Sequence, residues 1–213
     1  MGHVVKKLVF GVGINDADYV TQIKEAIGYV NGKQKYKTVW ICPFYQAWKN
    51  MLTRSYSEKF KLIQPTYRDV SVCKEWHLFS NFKKWMTTQD WEGKQLDKDL
   101  LSPGTKEYSP TACVFVSRQV NMFLIDRGAA RGEYKIGVCW DKDRSKFIAG
   151  CSNPISGKKE NLGRFATEDA AHQAWLDRKL DHAYALAALQ EDERVAKALI
   201  DRYENYGEHD VQS

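Results

Sequence analysis

The sequence predicts an α+β protein: a strand–loop–strand–helix core, then a small three-stranded antiparallel sheet packed on a long C-terminal helix. Three observations predict it. Residues 96–125 alternate short apolar strands with Pro and Gly turns and finish on a capped helix. Residues 134–165 give three short strands separated by turns. From Thr167 onward an apolar stripe recurs at helical spacing. With 213 residues, 43% of them hydrophobic, the chain is long enough for one large domain or two small ones.

Residues 1–36 read as a leader or arm. Leu8 to Gly13 suits a short strand or extended segment. Val20, Ile23, Ile27 and Val30 recur at helical spacing, which predicts a short helix over 17–30 with Asp16 as its N-cap. Gly11 and Gly13 do not make a nucleotide loop, because the third glycine and the βαβ setting are missing.

Residues 37–125 form the central domain. Phe44, Trp48, Met51, Leu52 and Tyr56 fit one helical face, and Pro65 ends helical continuity. Trp76, Phe79 and Phe82 step by three and predict a second helix over a core; His77 beside them suits packing or surface. Leu96 to Leu101 reads as a short alternating strand. Ser102-Pro103-Gly104 and Tyr108-Ser109-Pro110 read as turns, and Cys113 to Val116 as a second strand. Ser117 caps a helix that carries Asn121.

Residues 126–133 read as a linker. Residues 134–180 follow as the sheet-plus-helix module, with Thr167 capping the helix and Glu168 and Asp169 at its positive end. Residues 181–213 are an acidic helix and tail, and one helix or two in tandem run to about Tyr203.

Charge is uneven. Residues 1–180 hold 29 Lys and Arg against 19 Asp and Glu, net +10, whereas residues 181–213 hold 3 against 8, net −5. A basic body either attracts polyanions or simply keeps the protein soluble. The acidic end suits a solvated helix or a protein contact, including a homodimer, rather than DNA. The five cysteines are odd in number and none makes a Cys-x-x-Cys pair, so no zinc is expected; His172 and His182 have no Cys or His at ligand spacing. Neither a signal peptide nor a membrane-length apolar run is visible, and a cytoplasmic protein is expected.

The run Trp48, Met51-Leu52, Arg54 and Tyr56, then Val72-Cys73-Lys74-Glu75-Trp76 and Phe79-x-x-Phe82, resembles the entry region of phage HNH homing endonucleases. Leu96-Asp97-Lys98-Asp99, Tyr108-Ser109-Pro110, Cys113-Val114-Phe115 and Asn121 resemble their ββα-metal nuclease core. The resemblance implies Mg²⁺- or Mn²⁺-assisted hydrolysis of phosphodiesters, with Asp97 and Asn121 as metal ligands and catalytic residues. Lys98 stands where that family has its general-base His, and Ala112 where it has its middle Asn. A lysine protonated at pH 7 cannot take the proton, though it can contact a phosphate. Asp99, two residues after Asp97, either completes a paired-carboxylate metal site or is a solvated acid at the loop edge.

Tyr134-x-x-Gly137-Val138, Trp140, Lys146-Phe147-x-Ala149 and Leu162-Gly163-x-Phe165-x-Thr167-x-x-x-Ala171 resemble the apetala or ethylene-response-factor type DNA-binding domain. That resemblance implies a three-stranded sheet laid in the major groove of duplex DNA. Lys142, Arg144, Lys146, Lys158, Lys159 and Arg164 are the candidate DNA contacts; a basic cluster of this kind is otherwise a solvated face. Phe147 and Phe165 are expected in the core, and Trp140 suits either the core or the DNA. Three readings stay open: a site-specific homing-type endonuclease, a catalytically silent DNA-binding protein, and an interaction protein working through its acidic helix.

Overall fold

A computed structural model describes residues 8–125 and 133–206. The expected linker at 126–133 therefore lies almost wholly outside the described residues. The fold is mixed α and β, and the chain divides into two compact units: residues 1–92 with 104–115, and residues 93–103 with 116–213.

The first unit opens on a surprise. Strands β1 (Gln22–Val30) and β2 (Lys33–Ile41) form a long antiparallel hairpin where a helix over 17–30 is expected. The turn explains the difference. Asn31 and Gly32 both adopt positive φ, 50° and 71°, as the tightest two-residue hairpin turns require. The helical spacing of Val20, Ile23, Ile27 and Val30 is incidental, since valine and isoleucine suit strands better. Asp16 is not the cap of that helix; its carboxylate accepts the backbone N–H of Ser80 at 2.9 Å and the Ser80 hydroxyl at 2.5 Å. Those bonds cap a different helix, the one that begins at Phe79.

Helix α1 (Pro43–Tyr56) follows, started by Pro43 at a position where no N–H is needed. After α2 (Glu58–Ile63) the short strand β3 (Ser71–Val72) leads to α3 (Phe79–Met86). The aromatic residues singled out by their spacing form the core. Trp48, Trp76, Phe79 and Phe82 are fully buried, and Trp48 Nε1 donates to the Trp76 carbonyl at 2.7 Å. Trp76 begins no helix of its own but sits in a 3-10 turn, Lys74–His77.

The next strand, β4 (Gln95–Asp97), is shorter than the expected Leu96–Leu101. Asp97 itself ends it: its Oδ1 accepts the backbone N–H groups of Asp99 at 2.9 Å and Leu100 at 2.8 Å, which turns the chain. Strand β5 (Glu107–Tyr108) returns to the first unit and pairs in parallel with β3. Strand β6 (Val114–Val116) then leads to α4 (Arg118–Leu124), where the Ser117 hydroxyl accepts the Val120 N–H as expected of a cap.

The second unit carries a three-stranded antiparallel sheet of β7 (Val138–Asp141), β8 (Lys146–Ser152) and β9 (Lys159–Phe165) in that order, packed on α5 (Glu168–Ala187). Thr167 caps α5 by accepting the Ala170 N–H. Gly137 lies flat under Trp175: a Cβ there would stand 2.0 Å from the indole, and the backbone φ is +80°. Helix α6 (Glu193–Glu204) folds back on α5 and buries Val195, Leu199 and Tyr203, so the two helices are in tandem rather than one.

Helix α4 has only seven residues, and its last carbonyls are satisfied from far along the chain. Lys179 Nζ (3.0 Å) and Tyr203 Oη (3.3 Å) donate to the Phe123 carbonyl, and Arg202 Nη2 donates to Leu124 at 3.3 Å. The buried Lys179 ammonium also sits 3.5 Å above the Phe123 ring, a cation–π contact made strong by burial.

Candidate nucleic-acid interface

Strand alternation and register give the sheet two unlike faces. Trp140, Phe147 and Phe165 stand side by side across the three strands, with Ala149 beyond them buried under α5. Trp140 packs edge-on against Phe147, with ring centroids 4.7 Å apart, and remains 36% exposed. Both phenylalanines are half-buried on this side. The opposite face carries Cys139, Asp141, Lys146, Ile148 and Arg164, and past the bulge at Gly150 also Asn161 and Lys159. A cleft of about 600 Å³ opens beside it, lined by Ile136, Cys139, Ile148, Gly150 and Asn161 among others.

Of the six candidate DNA contacts, Lys146, Arg164 and Lys159 lie on the strands and Lys142, Arg144 and Lys158 in the turns; all are exposed. Arg164 and Arg144 are held together by one acid. Asp141 Oδ2 lies 3.0 Å from Arg164 Nε and 3.5 Å from Arg144 Nη1. The two guanidiniums, Arg164 foremost, keep the Asp141 carboxyl below the usual range.

Behind the sheet, Glu160 is a hub that local spacing does not reveal. Arg178 grips both its oxygens (Nε 2.8 Å, Nη2 3.2 Å), and Asn153 donates to Oε1 at 3.0 Å. Those bonds hold its carboxyl down at about 2. The buried ring of His182 reaches in from α5. Its Nδ1 is 3.9 Å from Cys151 Sγ, and its Nε2 is 3.2 Å from Glu160 Oε2 but badly angled for a hydrogen bond. Burial lowers the His182 pKa against the opposing pull of Glu160, so the ring is neutral.

Cys151, Glu160 and His182 bring three ligand types within 4.8 Å of one another. Sulfur and imidazole in the set suit zinc rather than Mg²⁺. The Glu160 oxygens are already engaged by Arg178 and Asn153, however, and the two His182 nitrogens face different neighbours. A cation there would compete with the Arg178 guanidinium for the Glu160 carboxylate. His172 is structural as well, with Nδ1 2.9 Å from the Ile136 carbonyl.

The residues expected for cleavage lie together in the second unit. Asp97 is half-buried; burial raises its carboxyl, and Oδ2 accepts no hydrogen bond among the described residues. Asn121, on α4, donates its amide N–H to Gln95 on the strand that bears Asp97, which leaves its carbonyl oxygen available. Asp99 lies beyond the strand end, so the two-apart strand geometry does not apply to it. It pairs instead with Lys98, whose side chain is only 7% exposed. Ala112, in the first unit, is buried. His77, also in the first unit, is taken up by Tyr56 Oη at 3.3 Å and the Val72 carbonyl at 3.1 Å.

Comparison with protein-family models, with curated proteins and with solved structures finds no match to this chain. No described helix is long and apolar enough to cross a membrane.

Proposed function

We propose that the chain is a duplex-DNA-binding protein that lays the open face of the β7–β9 sheet in the major groove. One observation carries this reading. The face turned away from α5 bears Lys146 and Arg164 on its strands, with Arg144 fixed beside them through Asp141. A narrow antiparallel sheet fits the groove, and arginines held in place lose little freedom on reaching a guanine or a phosphate. The double variant Lys146→Gln/Arg164→Gln is expected to lose roughly tenfold or more in duplex affinity. Affinity equal to the wild type would end the reading.

A second reading, homing-type cleavage of that DNA, is favoured by Asp97 and Asn121. Both offer an oxygen free of hydrogen bonds, the hard donor that Mg²⁺ or Mn²⁺ takes. A bound ion would stabilise charge on the phosphate. Asp97 and Asn121 would hold it; Asp99 assists only by leaving Lys98, and Lys98 would balance charge rather than take a proton. Plasmid nicking with and without Mg²⁺ separates this enzyme from a silent DNA-binding protein. Because α6 spends its apolar side on α5 and α4, a partner of the acidic end would meet its charged side; a pull-down comparing the full chain with one ending before residue 193 tests that contact.

A further inference from the structure

The hairpin β1–β2 is a long ribbon with no cover. Sixteen of its eighteen strand positions are exposed, Gln22 and Ile41 at the base being the partly covered pair. Two-stranded ribbons are marginal in water unless something covers them. This one is anchored at its base, where the Cys42 N–H donates to the Thr21 carbonyl at 2.9 Å and both residues are buried.

Its two faces differ. Lys33, Lys35 and Lys37 alternate along β2 and therefore leave the same side, opposite Val30, Gly28 and Glu25. The other side carries Tyr29 and Tyr36, with the Tyr36 hydroxyl donating to Gln34 at 2.8 Å. None of the three ammonium groups has a carboxylate within ion-pair distance among the described residues, although Glu25 stands across from Lys37. Residues 22–41 hold four lysines against one glutamate, net +3.

We infer that this ribbon is a second nucleic-acid contact, an arm that enters a groove of the duplex and sets its lysine row on a phosphate strand. Charge chooses the occupant. A second copy of the ribbon would bring +3 against +3. A lipid surface wants one continuous apolar side; the ribbon does expose Ile23, Ile27, Val30, Val39 and Trp40, but Lys33, Lys35 and Lys37 interrupt one side and Gln34, Thr38 and Lys24 the other. A polyanion takes the unpaired row directly, releasing counterions as it binds. Size agrees: the row steps by about 6.8 Å per lysine, and a two-stranded ribbon fits a groove roughly 12 Å wide. The tyrosines then lie against sugars or base edges. The arm rests on the reading that the protein binds duplex DNA, but it uses different residues from the sheet.

The test replaces Lys33, Lys35 and Lys37 together with Gln in the full chain. The sites are exposed, and an unchanged melting temperature checks the fold. Binding to a mixed-sequence duplex is measured across salt concentrations. The expected result is an affinity lower by roughly tenfold or more at low salt and a log–log salt slope shallower by about 2.7, or 0.9 per lost phosphate contact. A triple variant with wild-type affinity and slope overturns the arm, and Lys146→Gln/Arg164→Gln judges the sheet separately. Wild-type protein that binds no duplex sinks both readings. Duplex binding unchanged while the triple variant loses binding to phosphatidylserine vesicles, or loses a dimer seen by sedimentation, overturns the arm in favour of those partners.

Discussion

Arg164 Nε lies 3.0 Å from Asp141 Oδ2 across one face of the sheet, and the same oxygen also faces Arg144. An acid in the middle of a basic face repels DNA, yet it fixes the direction of two guanidiniums. Asp141→Ala should therefore separate affinity from selectivity. Non-specific binding should hold or tighten, because one negative charge is gone. Discrimination between a selected site and random DNA should fall, by about 1 kcal/mol or more. Competition binding with both DNAs measures it; a parallel loss on both would mean that Asp141 only supports the fold.

Gly137→Ala should destabilise the second unit by roughly 2–4 kcal/mol. The added methyl meets the Trp175 indole, and the backbone sits in the left-handed region that alanine avoids. Denaturant unfolding followed by tryptophan fluorescence reads the change. A variant as stable as the wild type would mean that the contact between Gly137 and Trp175 is looser than described.

Stability should fall on acidification in two stages. His182 is depressed below its ordinary value of 6.5, so the unfolded chain takes up a proton first. Its contribution is complete above that value and fades as pH drops through the folded pKa. Glu160 is depressed from 4.5 to about 2, so its contribution fades later, as pH falls from 4.5 toward 2. Urea midpoints between pH 7.5 and 3 follow both. His182→Gln should flatten the first stage only, and a wild-type midpoint flat between pH 7 and 5 would contradict the buried neutral ring.

Chelation should leave the melting temperature unchanged. Arg178 and Asn153 already satisfy the carboxylate that a cation at Cys151, Glu160 and His182 would need. A fall of several degrees with EDTA, reversed by zinc, would place a structural metal there.

Asp97→Asn should abolish Mg²⁺-dependent cleavage, by about a thousandfold or more, with DNA affinity nearly unchanged. The amide keeps an oxygen for the Asp99 and Leu100 N–H groups, so the turn survives. Asp97→Ala removes that acceptor too and should cost about 1–2 kcal/mol of stability in addition. Wild-type protein that nicks no DNA with Mg²⁺ or Mn²⁺ would leave the silent DNA-binding reading.

Local signals were readable where they acted locally. Ser117 and Thr167 cap the helices they precede, and the three short strands and their turns fall at nearly the expected residues. The hairpin was hidden by an accident of spacing, although Asn31-Gly32 marks it. A turn dipeptide that demands positive φ outweighs a four-residue periodicity. Asp16 looked like a local cap and serves a helix 64 residues away. Asp97 looked like a strand residue and is what ends the strand. The group around Glu160 joins residues from Cys151 to His182 across a sheet and a helix, a neighbourhood that no linear spacing encodes.

The remote closure of α4 sets a timetable for synthesis. Seven residues make a poor helix alone. The carbonyls at its end wait for Lys179, Arg202 and Tyr203, the last of them 80 positions after Phe123. A chain still emerging from the ribosome thus holds Asn121 on an unfinished helix until Tyr203 has been made. A fragment that stops before Lys179 would lack all three of those donors, and one that stops before Arg202 would keep only the lysine.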